Sequence, residues 1–381
     1  MANSESKTPP GSNNALSPLA RLPLLVIAMV SLVVGVLAGL ARLGVTVPEG
    51  AATQAGSHGA LMIAAFLGAV ISLERAVALA RPWPYLAPLC AGLGGAALLA
   101  GAPSGVAQAL VIVAAAILCA GSALILRQQP ALYTATLALG ALSWLIGSIV
   151  WAVAGAVAPA APWWLAFLVL TIAGERLELT RFLPTPAGAR RAFALIVAAM
   201  LAGTSLALLR EDPGLRLLGA GLIALSLWLM RHDIARHTVR QAGLTRFIAI
   251  CLLSGYAWLA LGGLLGLAGG FVPGSGLRDA ALHAVFLGFV FSMIFGHAPI
   301  IFPAVTGVRI PYHPALYLQF ALLHGSLLLR VVGDLVGVAA WRQDGAIGNG
   351  LALLAFVVTM LISAMNGRRE RAGKRTLKPA A

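Results

Sequence analysis

The feature that most constrains this chain is a series of about twelve apolar segments, each near the roughly 20 residues that a helix needs to cross a bilayer. Their predicted positions are 22–41, 58–80, 84–101, 104–126, 131–155, 161–178, 190–209, 214–230, 245–268, 279–302, 314–335 and 345–366. Only 10% of the 381 residues are charged, against about 25% in ordinary soluble proteins. We therefore predict an all-α fold, a polytopic membrane helix bundle of about 12 transmembrane helices. Ten or eleven spans is the nearest alternative, because the third and eighth segments are short.

Basic residues are divided unequally between the two sides of this predicted bundle. With the N-terminus inside, 20 of the 26 Lys and Arg residues lie on the inner side and 6 on the outer side. Cytoplasmic loops carry such an excess, so both termini are predicted to be cytoplasmic in a multi-pass protein of the bacterial cytoplasmic (inner) membrane. The net charge of +14 is interpreted in the same way. It indicates contact with the anionic lipid bilayer and not with nucleic acid.

The chain is predicted to form one membrane domain between two short polar ends. Residues 1–20 are rich in Ser, Pro, Asn and Gly, a composition typical of a disordered arm. Residues 21–366 form the 12-helix domain, and residues 367–381 form a basic cytoplasmic tail.

Histidines are the residues most able to carry chemistry here, because an ionisable group inside a membrane span is costly. His58 opens the second span and His283 opens the tenth. Both spans begin on the predicted outer side, so the two imidazoles are expected at a similar depth. Two imidazoles from facing helices can bind one haem iron from opposite faces, and we predict His58 and His283 as cofactor-binding residues. Each alone could instead be an interfacial or helix-packing residue, and imidazole also suits copper and zinc.

Two further histidines and one arginine are candidates of a second kind. His324, near the middle of the eleventh span, and His297, near the inner end of the tenth, are predicted metal ligands. His297 stands about 21 Å from His283 along a regular helix, so these two cannot bind one ion. Arg330, at the outer end of the eleventh span, could bind a haem propionate. It could also pair with Asp334 four residues on or extend to the membrane interface.

The segments that carry these histidines resemble the NnrS family, membrane proteins related in architecture to the haem–copper oxidase catalytic subunit. The resemblance rests on SHGALMIAAFLGAVI in the second span and on the stretch from ALHAVFLGFVFSMIFGH through the LLRV of SLLLRVVGD. It implies haem and copper as cofactors and a role in the bacterial response to nitric oxide or in denitrification. Nitric oxide or another small ligand, and a respiratory-chain protein, are the implied partners. His58 and His283 would carry over as the span-opening histidines.

The sequence also departs from the oxidase pattern. It has no adjacent His-His pair on a middle span, no HPEVY-like segment and no H-x-H in the tenth span. Oxidases build their copper site from the first two elements, so reduction of oxygen or nitric oxide is disfavoured, and whether the protein is an enzyme is left open. The first hypothesis is a haem-binding, or haem- and copper-binding, protein of the NnrS type. The alternative is a polytopic transporter whose histidines line a substrate or proton path.

Overall fold

The fold is a bundle of helices, seen in a computed structural model that describes residues 15–180 and 186–376. Within those residues there is no strand. We label the twelve apolar helices in chain order: α1 Pro18–Arg42, α2 Ala60–Leu79, α3 Trp83–Leu99, α4 Ser104–Gln128, α5 Leu132–Ala154, α6 Ala161–Thr180, α7 Ala187–Ala207, α8 Glu211–His232, α9 Gly243–Leu267, α10 Arg278–Thr306, α11 Leu316–Val336 and α12 Ala339–Thr376. Each lies on one of the predicted segments, so the all-α membrane bundle is confirmed.

Among the described residues, ten of these helices are long and apolar enough to cross a membrane. The two others are α3, which is shorter, and α6, which carries Glu175, Arg176 and Glu178 near its end. The predicted count of twelve spans therefore stays a prediction for α3 and α6. The apolar surfaces of the outer helices fit a lipid bilayer, since large side chains such as Leu195 and Leu318 are well exposed on them.

The ends of the chain fall partly outside the described residues. Residues 1–14 of the predicted arm lie outside them, and α1 already begins at Pro18. Ser17 caps this helix by accepting a bond from the Ala20 backbone N–H. At the other end, α12 continues through Thr376 into the predicted tail.

Three helices, α2, α6 and α10, form the inside of the bundle. Every residue of the first part of α2, Ala60–Leu67, is buried, and so is the stretch 163–170 of α6. In α10 the stretch 287–293 is likewise buried. Arg75 of α2 and Glu175 of α6 form an ion pair at the predicted inner end. The other helices therefore surround a central group whose members lie four apart in chain order.

Two of these inner helices contain wide π-helical turns. One covers Ala60–Leu67, just after His58, and the other covers Ala284–Phe291, directly after His283. Turns of this kind concentrate at functional sites, because the extra residue changes the direction of the side chains around it. Helix α10 then continues through Pro299 and Pro303 to Thr306. The segment HAPIIFP at 297–303 is therefore helical, and its two prolines do not interrupt the span.

Candidate functional site

His58 and His283 lie next to each other at the predicted outer end of the inner helices. Their ring centroids are 6.2 Å apart and their ring planes are inclined by 24°. Both side chains are largely buried between α1, α2, α10 and α11. The structure thus brings together the two histidines that sequence reasoning selected from their depth.

Each of these rings is anchored through the same nitrogen. His58 Nδ1 donates to the Gly35 carbonyl oxygen at 2.7 Å, and His283 Nδ1 donates to the Asp279 carbonyl oxygen at 2.8 Å. A carbonyl oxygen can only accept, so Nδ1 of each ring carries a proton. A ring with its single proton on Nδ1 keeps the Nε2 lone pair for a ligand, which is the tautomer that metal-binding histidines use.

A close approach of α1 to His58 depends on glycine. A Cβ atom added at Gly39 would lie 2.7 Å from His58 Cε1 and 2.8 Å from Nδ1. Gly35, one turn earlier, provides the carbonyl that accepts the His58 proton. Sequence reasoning missed both residues, although their GVLAG spacing is the small-xxx-small pattern of close helix packing in membranes.

The second histidine is held by an ion pair between α10 and α11. Arg330 Nε and Nη2 each donate to a different carboxylate oxygen of Asp279, both at 2.7 Å. The Oδ1 of the same carboxylate lies 3.1 Å from His283 Nδ1. Arg330 is 6% exposed. Sequence reasoning offered Asp334 or a propionate as its partner, but the Arg330 fork binds Asp279, and Asp334 contacts Arg342 at 3.4 Å.

Two phenylalanines pair two turns deeper between the same helices. Phe66 follows His58 by eight positions, and Phe291 follows His283 by the same interval. Their ring centroids are 6.3 Å apart with planes inclined by 18°. The α2–α10 interface therefore repeats one arrangement, a pair of imidazoles near the surface and a pair of apolar rings beneath them.

His324 lies in a different place, between α9, α10 and α11. Its Nδ1 accepts from the Trp258 indole N–H at 2.7 Å. Its Nε2 is 3.3 Å from Ser292 Oγ and 3.5 Å from Ser254 Oγ. Because an indole N–H only donates, the proton of the neutral His324 ring lies on Nε2. Both ring nitrogens therefore have protein partners.

His297 belongs to a buried network at the predicted inner end. Its Nδ1 donates to the Met293 carbonyl at 2.8 Å, and its Nε2 accepts from Arg176 Nη1 at 3.3 Å. Arg176 also forms two bonds with the Asp233 carboxylate, at 2.8 and 3.1 Å. The Tyr256 hydroxyl donates to that carboxylate at 3.0 Å.

The predicted metal ligands His297 and His324 thus lie in separate networks, which share no residue. In the described part of the chain, no group of three or more His, Cys, Asp or Glu side chains is arranged to hold a metal ion. A metal site at either histidine stays a prediction.

Comparison with known proteins gives a family without an assigned activity. The family described as "Domain of unknown function (DUF8744)" matches residues 21–365. No curated protein matches the sequence significantly. Because the match covers nearly the whole chain, from α1 into α12, the protein belongs to the DUF8744 family.

Proposed function

We propose that this chain is a haem-binding protein of the bacterial cytoplasmic membrane, in which His58 and His283 are the two axial ligands of one haem. By its resemblance to the NnrS type, the protein would act in the response to nitric oxide or in denitrification. The observation that carries the proposal is the 6.2 Å separation of the two imidazoles.

The distance between the ring centres is close to the one that a shared iron would need. Two metal–nitrogen bonds of about 2.0–2.1 Å, and ~1.1 Å from each coordinating nitrogen to its ring centre, add up to roughly 6.3 Å. The inclination of 24° between the ring planes is compatible with this arrangement, because each ring can rotate about its own metal–nitrogen bond. The anchored Nδ1 atoms of both rings favour the same interpretation.

The residues of the chain perform two tasks in this proposal. The carbonyl oxygens of Gly35 and Asp279 fix the tautomer and the direction of each ring. The buried side chains beneath, including Phe66 and Phe291, keep water from the inner part of the site. When bound, the haem would supply one-electron chemistry, at a potential set by its ligands and their hydrogen bonds. His58 and His283 would both be used to hold the haem, so the proposal is electron transfer or sensing and not reduction of a bound gas.

Copper, which the resemblance to the NnrS type also implies, is not part of the proposal. To bind copper, His324 would have to give up its hydrogen bond with Trp258 or with a serine. His297 would have to give up its hydrogen bond with Arg176. As they stand, these two histidines do not fit a copper ion, and we derive no chemistry from one.

An absorption spectrum of the detergent-purified protein tests the proposal. We expect a Soret band and a six-coordinate, low-spin spectrum. His58→Ala and His283→Ala should each give a five-coordinate spectrum or lose the haem, and the two should look alike because each breaks the same site. His237→Ala, on the short exposed helix Ala235–Thr238 between α8 and α9, is the control and should match the wild type. A wild-type protein without haem after expression with excess haem, or two single variants with wild-type spectra, would overturn the proposal.

The alternative is a polytopic transporter, and the buried ionic network favours it. Arg176 is 4% exposed and Asp233 is 1% exposed, and transporters place such charges along substrate or proton paths. Accumulation of a radiolabelled solute in proteoliposomes, by a protein that has no Soret band, would select this function. Loss of that accumulation in the double variant Arg176→Met/Asp233→Leu, with the protein still folded, would assign the network to the path.

A further inference from the structure

We infer that Asp279 is a positioning residue that makes His283 the stronger electron donor of the two axial ligands. The inference rests on the proposed function and names a regulation of the same site. It starts from one difference between the two histidines, which is the group that accepts the hydrogen bond of each Nδ1–H.

The two imidazole N–H groups face different acceptors. The His58 N–H bonds to the Gly35 carbonyl, which is a neutral peptide oxygen. The His283 N–H lies between the Asp279 carbonyl, at 2.8 Å, and the Asp279 carboxylate oxygen Oδ1, at 3.1 Å. A carboxylate next to the N–H of a metal-bound imidazole increases the basicity of the ring and fixes its orientation. Only His283 has such a neighbour among the contacts described.

The carboxylate is held in place from another helix. Arg330 of α11 donates one hydrogen bond of 2.7 Å to each oxygen of Asp279. This bidentate geometry fixes the direction of the carboxylate and also stabilises it. Asp279 and His283 are four residues apart at the start of α10, so the carboxylate stands directly over the ring that it contacts. The orientation of His283 is therefore tied to the packing of α11 against α10.

The arginine and the carboxylate would have opposite effects on a bound haem. The positive charge of Arg330 would disfavour the oxidised iron, whereas the negative charge of Asp279 and the stronger donation from His283 would favour it. A test has to separate the contact with the ring from the local charge, and the pair of residues allows this because both charges can be removed together.

The test is a potentiometric titration of the purified haem protein, followed by absorption. Asp279→Asn keeps the shape of the side chain and removes its charge. It should raise the midpoint potential by at least about 59 mV, which is a tenfold change in the equilibrium constant of a one-electron couple. Arg330→Gln should lower the potential. The control Asp212→Asn removes an exposed carboxylate paired with Arg216 on the same predicted side and should leave the potential unchanged.

The double variant Asp279→Asn/Arg330→Gln decides between the two effects. It has the same net charge as the wild type but no carboxylate at His283. If donation through His283 sets the potential, the double variant stays well above the wild type. A return to the wild-type potential would overturn the inference, because charge alone would then explain both single variants. The double variant also removes the unpaired charge that could prevent Asp279→Asn from folding.

The two proposals fail in distinguishable ways. A wild-type protein that binds no haem contradicts the proposed function. A wild-type protein with low-spin haem, whose potential does not move in Asp279→Asn, contradicts the inference alone.

Discussion

Removal of the Asp233 carboxylate is expected to destabilise the bundle strongly. This carboxylate accepts from Arg176 at 2.8 and 3.1 Å, from Tyr256 at 3.0 Å and from the Ala235 backbone N–H at 2.7 Å. In Asp233→Ala the Arg176 guanidinium would remain buried without its counter-ion, at a cost of about 3–5 kcal/mol. The Tyr256 hydroxyl, which is fully buried, would lose its acceptor and add about 1–3 kcal/mol. We therefore expect a loss of at least 3 kcal/mol, as a rough lower bound.

Equilibrium unfolding of the detergent-solubilised protein measures this loss. Asp212→Ala removes an exposed carboxylate and is the matched control, with an expected cost of about 0–1 kcal/mol. The double variant Arg176→Met/Asp233→Leu replaces the whole pair by apolar groups and should regain most of the stability. A stability of Asp233→Ala within about 1 kcal/mol of the wild type would show that water or another group solvates Arg176, and would refute the reasoning.

Three further outcomes are expected. Gly39→Ala should weaken haem binding about 5- to 150-fold, since overpacking against His58 costs about 1–3 kcal/mol. The control Gly325→Ala, where a Cβ meets nothing within 4 Å, should leave a haem titration unchanged. Equal haem affinities of Gly39→Ala and the wild type would contradict the tight contact. Reporter fusions at residue 185 and at the C-terminus should report cytoplasm and one near residue 274 the outer side, so a periplasmic C-terminus would exclude the predicted topology. His324→Ala should leave the metal content and the haem spectrum unchanged while the protein still inserts, because both ring nitrogens have protein partners, and a loss of bound copper would instead make His324 a metal ligand.

The helices were predictable because the bilayer imposes a length and an apolar composition on every span. The positions of α4 and α6, for example, follow directly from runs of suitable length. The common depth of His58 and His283 followed from the alternation of the spans. The π-helical turns were not predictable, because an inserted residue leaves no compositional signal in a helix that is apolar on all sides.

The partners of the site residues were harder to predict for a different reason. Local spacing pairs Arg330 with Asp334, since residues four apart on a helix are neighbours. In the fold, Asp279 reaches Arg330 from α10, and Asp334 contacts Arg342. The choice between a local and a distant carboxylate depends on which helix faces are in contact, and a single sequence does not contain that information. Gly39 was missed for the same reason.

The position of α2, α6 and α10 at the centre of the bundle has a consequence for biogenesis. His58 leaves the ribosome with the second helix, but its counterpart His283 is made only with the tenth, after most of the chain has entered the membrane. A newly made chain therefore holds only half of the site while α3 to α9 are being inserted. The other half arrives together with the last three helices. The site can therefore be completed only after α10 has been made, and a chain cut short before that helix carries His58 without its counterpart.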